Sequence, residues 1–346
     1  MSVPNLAAAR VARPRTVEEA VKILHEAGPE AMILAGGTDV VPNLQMKLFA
    51  PRVLVDIKAI AGLRGIAQAE GGALRIGALT TLTEIERSAV VKQKYSVLAS
   101  AVRTIAGPLQ RNMGTLGGNL CLETRCVWYN QSEFWRESLG GCLKKDGNVC
   151  HVAPGGKRCW AVWSGDSAAA LLTLDAEIEI VGPHGKRRIP LGEFYRNDGM
   201  DRIALERGEI LTAAILPARM TGRRGIYNKL RIRNSIDYPL AGVAASLEVD
   251  ATWICRDARI AINAVNPAPL LLREAAAELV GKKYSHDLAD SAALKAIRTG
   301  KPLTTSSSTP VYRREMLRVF TRRALEETWK DRRAHNAPGG QPIAAD

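Results

Sequence analysis

Aromatic residues are scarce in this chain, at 5% of 346 positions, and only 5 histidines are present. No apolar run reaches the roughly 18 residues that a membrane-spanning helix requires. Met1-Ser2-Val3-Pro4 lacks the charged segment followed by an apolar one that marks a secretory signal, so a cytoplasmic protein without membrane attachment is expected. The six cysteines include no Cys-x-x-Cys pair, which argues against a zinc ribbon, and their spacing is not that of a ferredoxin. H-E-x-x-H and G-x-S-x-G motifs are missing, and the histidines (His25, His151, His184, His286, His335) show no i, i+4 pairing. Hydrolase and zinc-protease chemistry therefore drop out.

Acidic residues are also in deficit, with 35 Asp and Glu against 48 Lys and Arg, a net charge of +13. That surplus invites a nucleic-acid reading. The charge is spread out, however, and no basic stretch alternates with stacking aromatics. Its densest block runs from Arg219 to Arg233 (Arg219, Arg223, Arg224, Lys229, Arg231, Arg233) without an acid. A solvated surface or a face for an acidic partner is the better reading, and no nucleic-acid partner is expected. A basic zinc module on nucleic acid remains the rival from a different class. With 46% hydrophobic and 24% charged residues the chain is globular in composition, and its length allows two or three domains.

Thr16-Val17-Glu18-Glu19 reads as a capping box for an amphipathic helix that stops at Gly28-Pro29. The apolar strand Met32 to Ala35, the loop Gly36-Gly37-Thr38-Asp39 and the strand-like stretch 52–57 complete a compact α/β unit over residues 1–60. From Gly65 a hairpin with Glu70-Gly71-Gly72 as its turn leads to a second capping box, Thr81 to Glu84, and further helix up to about Ala106. Residues 121–160 hold five of the cysteines and Trp128, Trp135 and Trp160 with little periodicity, which is uncommon inside a domain unless the segment has a role. Order returns with Ser167 to Leu172, a strand over 174–181 and another over 209–216, and a boundary is expected near 220. The last third reads as strands at 226–232, 240–249 and 258–265, then helices around 273–280 and 310–328, with a frayed tail from 334.

Leu34 to Asp39 places two glycines and a hydroxyl after a buried strand, where free backbone N–H groups can converge on an anion. It fits neither the dinucleotide fingerprint nor the P-loop, and alone it would be a tight structural turn. The second loop, Gly114-Thr115-Leu116-Gly117-Gly118-Asn119, changes that, because two nests can hold the two phosphates of one dinucleotide. Leu34 to Val40, Ile76 to Glu84 and Arg111 to Asn119, in this order, resemble the FAD-binding subunits of the xanthine dehydrogenase and carbon monoxide dehydrogenase family. The likeness continues through Ser164-Gly165-Asp166, Glu209-Ile210-Leu211 and Lys229 to Arg233, as far as Tyr312-Arg313-Arg314.

This resemblance implies an α+β protein with the FAD-binding fold of the vanillyl-alcohol-oxidase/CO-dehydrogenase flavoprotein type. FAD would lie between two N-terminal α/β subdomains (1–60 and 61–219) and a C-terminal α+β domain (220–330) with a small antiparallel sheet covered by helices, followed by a tail (331–346). The first loop (Ile33, Leu34, Ala35, Gly36, Gly37, Thr38, Asp39, Val40) and the second (Gly114, Thr115, Gly117, Gly118, Asn119) would clasp pyrophosphate and ribityl chain. Asp166 would also touch the cofactor, and Ile105, Leu211 and Lys229 would lie against the isoalloxazine. A lysine there would favour anionic reduced flavin; otherwise Lys229 is one solvated charge among a basic cluster.

The cysteines Cys121, Cys126, Cys142, Cys150 and Cys159 leave metal binding and ordinary thiols equally open on spacing alone. Ordinary members of the flavoprotein family pass almost directly from the Gly-Gly-Asn loop to the Asp166 region. An insertion here, with cysteines 16, 8 and 9 apart, resembles the β subunits of 4-hydroxybenzoyl-CoA reductases, in which it carries a 4Fe-4S cluster. The matching positions are Cys126, Cys142, Cys150 and Cys159, with the tryptophans shielding the sulfurs; Cys121 is the alternative to Cys126, and Cys255 is a structural thiol. The resemblance implies electrons passing from ferredoxin through 4Fe-4S and FAD to 2Fe-2S clusters on a small subunit and molybdopterin on a large one, in a dimer of heterotrimers. Another molybdenum hydroxylase or dehydroxylase with a different aromatic or CoA-linked substrate is the alternative.

Overall fold

A computed structural model describes residues 9–330, so the expected tail lies outside the described residues. The described residues form three sheets. The first is parallel, in the order Arg10–Ala12, Val53–Asp56, Ala31–Leu34. Helix Val17–Ala27 covers it, burying Ala20, Val21 and Leu24, the residues at helical spacing. Thr16 caps that helix by accepting from Glu19 N–H at 3.1 Å, but Glu19 reaches back to Arg15 N–H, so the expected box is not closed on Thr16. The Thr81–Glu84 box closes in both directions.

The second sheet is antiparallel, in the order Ile66–Gln68, Leu74–Gly77, Ile210–Leu216, Glu177–Gly182, Gly185–Pro190. Its central strand Ile210–Leu216 is buried throughout, as its uninterrupted apolar sequence requires. Helices Leu82–Arg87, Ala89–Lys94 and Ser96–Thr104 and the wholly buried Asp166–Leu172 pack around one core with it.

The third sheet is antiparallel, in the order Leu270–Leu271, Cys255–Asn263, Ala241–Val249, Arg224–Leu230. Helices His286–Thr299 and Pro310–Lys330 share a core with it. The sequence pattern does not announce His286–Thr299, because its buried face consists of Ala289, Ala292, Ala293 and Ala296. Arg313, fully buried, fixes the start of the last helix by donating to Leu240 O and Leu303 O at 2.8 Å each and to Ala264 O. Burial lowers its guanidinium to about 10, and the carbonyls take the place of an acidic partner.

Residues 121–160 contain one short helix, Glu133–Ser138, and pack on the segment after the first glycine loop. Arg136 carries that contact from a buried position, donating to Met46 O at 3.1 Å and Lys47 O at 3.0 Å. Glu123, Lys144 and Arg202 form a second tie. Burial would raise the Glu123 carboxyl, but the two cations and the Lys144 hydrogen bond hold it below the usual range.

Candidate functional site

The two glycine loops, the start of helix Asp166–Leu172 and strand Arg224–Leu230 meet at a cavity of about 1010 Å³. Every residue expected to touch the cofactor lines it except Leu34. The loops meet through Gly36, where a Cβ would lie 1.9 Å from Met113 O. Gly37 adopts φ +75°, the left-handed region that glycine accepts without strain.

The two loops differ as anion sites. The amides of Gly36, Gly37, Thr38 and Asp39 have no acceptor among the described residues. In the second loop Leu116 N–H donates to Thr80 O (3.0 Å), Gly117 N–H to Ala78 O (2.8 Å), Gly118 N–H to Thr115 Oγ1 (3.1 Å) and Asn119 N–H to Thr115 O (3.0 Å). Two equivalent nests are therefore not formed. The first loop offers a run of four free amides, whereas among the described residues the second offers only the Thr115 amide and the side chains of Thr115 and Asn119. The protein takes up the amides of 116–119 because the Thr115–Asn119 turn is itself a capped helix start docked on residues 78–80.

Lys229 is not a solvated charge. Its ammonium lies 2.8 Å from Asp166 Oδ2 and donates to Thr104 O at 3.0 Å, with only 2% of the Lys229 side chain and 3% of the Asp166 side chain exposed. Tyr227 donates to the other Asp166 oxygen. Burial, then the Asp166 charge, push the Tyr227 phenol far above its usual value, so it stays protonated as a donor. The lysine charge beside Ile105 and Leu211 is thus offset by a carboxylate, which weakens its pull on an anionic flavin compared with a lone cation.

Asp39 is tied to the cysteine segment. It pairs with Arg125, accepts from Asn43 Nδ2 at 3.0 Å and from the Tyr238 hydroxyl at 3.4 Å, and the Arg125 guanidinium stands 4.3 Å from the Tyr238 ring centroid. Ser164 Oγ, in the cavity wall, is buried without a hydrogen-bond partner among the described residues, and so is Asn43 Oδ1. Free amides, orphaned polar atoms and apolar walls fit a large, polar-ended cofactor such as FAD.

Cys126, Cys142, Cys150 and Cys159 are all free and buried. Burial, partly offset by the Trp128 amide and aided by the neighbouring Cys159, Cys142 and Cys150, pushes the Cys126 thiol up to about 12. Burial likewise carries Cys159 to about 11, against the pull of the Ala161 amide and Lys144. Among the described residues, no group of three or more His, Cys, Asp or Glu is arranged to hold a metal ion. A zinc ion needs its thiolates within about 2.3 Å of one point, whereas four irons spread their ligands over a larger body. Trp128 Nε1 and Asn130 Nδ2, two and four residues after Cys126, are buried without a hydrogen-bond partner among the described residues. Free buried thiols and N–H donors without partners are the kinds of group that an iron–sulfur cluster would take. Trp128 packs on Trp135 and His151, at 6.0 and 5.0 Å between ring centroids, while Trp160 lies apart under Arg158. Cys121 stands in the wall of the large cavity, and Cys255 lies in the third sheet.

Residues 7–219 match the family described as the FAD binding domain in molybdopterin dehydrogenase, and residues 226–328 the CO dehydrogenase flavoprotein C-terminal domain. The chain belongs to the FAD-binding subunits of the molybdenum hydroxylases. It is 34% identical over 260 residues to the aldehyde oxidoreductase FAD-binding subunit PaoB of Escherichia coli K12, covering 72% of this chain and 80% of that one. With the carbon monoxide dehydrogenase medium chain of Hydrogenophaga pseudoflava it shares 28% over 316 residues, covering 91% and 95%. The crystal structure of Cu,Mo-CO dehydrogenase in its cyanide-inactivated form superimposes with a TM-score of 0.77 at 29% identity, over 93% of this chain and 97% of that one. Membership of this oxidoreductase family makes the chain an FAD-binding α+β protein and sets aside the zinc module. Among the described residues no helix is long and apolar enough to cross a membrane.

The sequence left several working residues unannounced. Tyr227, Arg125, Tyr238 and Arg136 act on partners 61, 86, 199 and 90 positions away, a separation that no local pattern records.

Proposed function

We propose that this chain is the electron-transfer subunit, carrying FAD and one 4Fe-4S cluster, of a cytoplasmic molybdenum enzyme that reductively dehydroxylates 4-hydroxybenzoyl-CoA to benzoyl-CoA. Its partners are a large molybdopterin-binding subunit and a small 2Fe-2S subunit in a dimer of heterotrimers, with ferredoxin as donor. The observation that carries this reading is the set of four free, buried thiols within residues 121–160, three of which (Cys126, Cys142 and Cys159) share one buried cluster. Cys126, Cys142, Cys150 and Cys159 would hold the cluster. Cys121, in the wall of the flavin cavity, is the poorer ligand.

When bound, FAD exchanges electrons singly or in pairs, and the cluster exchanges them singly. The chain's own residues bind and orient. First-loop amides from Gly36 to Asp39 receive the pyrophosphate, Thr115 and Asn119 offer side chains to the ribityl stretch, and Ile105 and Leu211 exclude water from the ring. Asp166 and Lys229 set the polarity at its edge. The division into 1–60, 61–219 with its insertion at 121–160, and 220–330 follows the same reading.

A second reading, a hydroxylase or dehydroxylase for another aromatic or CoA-linked substrate, is favoured by a relative at 30% identity whose name cites nicotinate, an aromatic acid. Anaerobic purification with the partner subunits, followed by turnover of 4-hydroxybenzoyl-CoA with reduced ferredoxin, separates them. Benzoyl-CoA formation supports the first reading; no turnover by an FAD- and iron-replete complex overturns it.

A further inference from the structure

Behind the cysteine segment lies a second concavity, of about 590 Å³, lined by Ala153, Trp160, Ile297, Arg298, Gly300, Lys301, Leu303 and Arg314. Three of these residues are cations and none is an acid. Arg298, Lys301 and Arg314 are exposed, and among the described residues none of them is held in an ion pair. Two more cations come from the cysteine segment: Lys157 is exposed, and Arg158 stacks 4.0 Å from the Trp160 ring centroid. A nearby acid, Asp198, is occupied as acceptor for the amides of Cys159 and Met200.

Unpaired cations grouped around a hollow hold a field that paired surface charges cancel, and such a field speeds and orients the approach of an oppositely charged protein. Trp160 gives the hollow an aromatic wall, and the residue before it is Cys159, whose thiol is buried beside Cys126. The hollow thus joins the solvent to the thiol group through a single peptide link.

We propose that this basic hollow is the docking surface for a small acidic one-electron carrier protein, which meets the chain over Trp160. The proposal rests on the cluster assignment for its purpose, while the docking itself is measured independently of it. The carrier delivers one electron per encounter and leaves oxidised by one electron; no bond is made or broken at the surface.

The test uses the complete complex with Arg298→Glu, Lys301→Glu and Arg314→Glu combined, and an acidic 2[4Fe-4S] ferredoxin as probe in a direct binding measurement. At an ionic strength of about 0.01 M the variant is expected to bind at least about tenfold more weakly than the parent, with the difference collapsing near 1 M. Affinity within twofold of the parent overturns the proposal. So does an equal loss from the control Lys22→Glu, on an exposed helix elsewhere, and so does loss of the partner subunits, which would assign the hollow to one of them. Iron content, measured alongside, reports on the cluster alone: a complex without iron at the four cysteines sinks that assignment and leaves the binding result standing.

Discussion

Replacing Lys229 with Met removes one half of a buried ion pair and leaves Asp166 with Tyr227 as its remaining donor. At 2.8 Å the pair has a direct attraction of about 6 kcal/mol at an effective dielectric of about 20, most of it spent on desolvating the two groups. The net cost is therefore read from the broken pair, and a lone buried carboxylate costs about 3–5 kcal/mol. Asp166→Asn strands the lysine in the same way. The double variant, with neither charge, is expected to lose clearly less than the two single losses added, giving a coupling of about 2 kcal/mol or more. Urea unfolding of the four proteins measures the cycle, and flavin content in the folded baseline reports the cofactor. Losses that add to within about 0.5 kcal/mol would refute the account of Lys229 as a charge neutralised by Asp166.

Two further outcomes follow from single positions. Gly36→Ala puts a Cβ 1.9 Å from Met113 O, so the two loops must part; flavin bound per folded chain is expected to fall severely, and full occupancy would contradict the contact. Glu179 is held at about 2: burial alone would raise its carboxyl, but hydrogen bonds from Lys186, Thr212 and Arg75 outweigh it. Since the folded value lies below the unfolded one, its contribution is complete above about pH 5 and is lost as pH falls towards about 2. Glu179→Gln should cost about 1–3 kcal/mol near pH 7 and flatten the acid limb of stability against pH, and parallel limbs would contradict this.

Elements with strong local signals were legible in the sequence. The helix Val17–Ala27, the Glu70–Gly72 hairpin turn and the apolar strand Ile210–Leu216 all form where periodicity and turn residues put them. Strand Arg10–Ala12 is too short to show a pattern, and helix His286–Thr299 hides its core face in alanines. At the site, the glycine loops and the cysteines stand out by composition, but their inequality does not. The amides of 116–119 are consumed by residues 78–80 and by Thr115, and the Lys229 charge by a carboxylate 63 positions away. Both depend on the folded chain bringing distant segments together. The binding of 121–160 to residues 46–49 through Arg136 belongs to the same class.

The central claim is that four of the six cysteines hold one cluster, and iron counting in the complete complex tests it most directly. Parent and Cys142→Ser complexes, purified without oxygen, should differ by about four iron atoms per copy of this chain while FAD stays equal, because the flavin cavity includes none of the four thiols. Equal iron in the two complexes would contradict the claim.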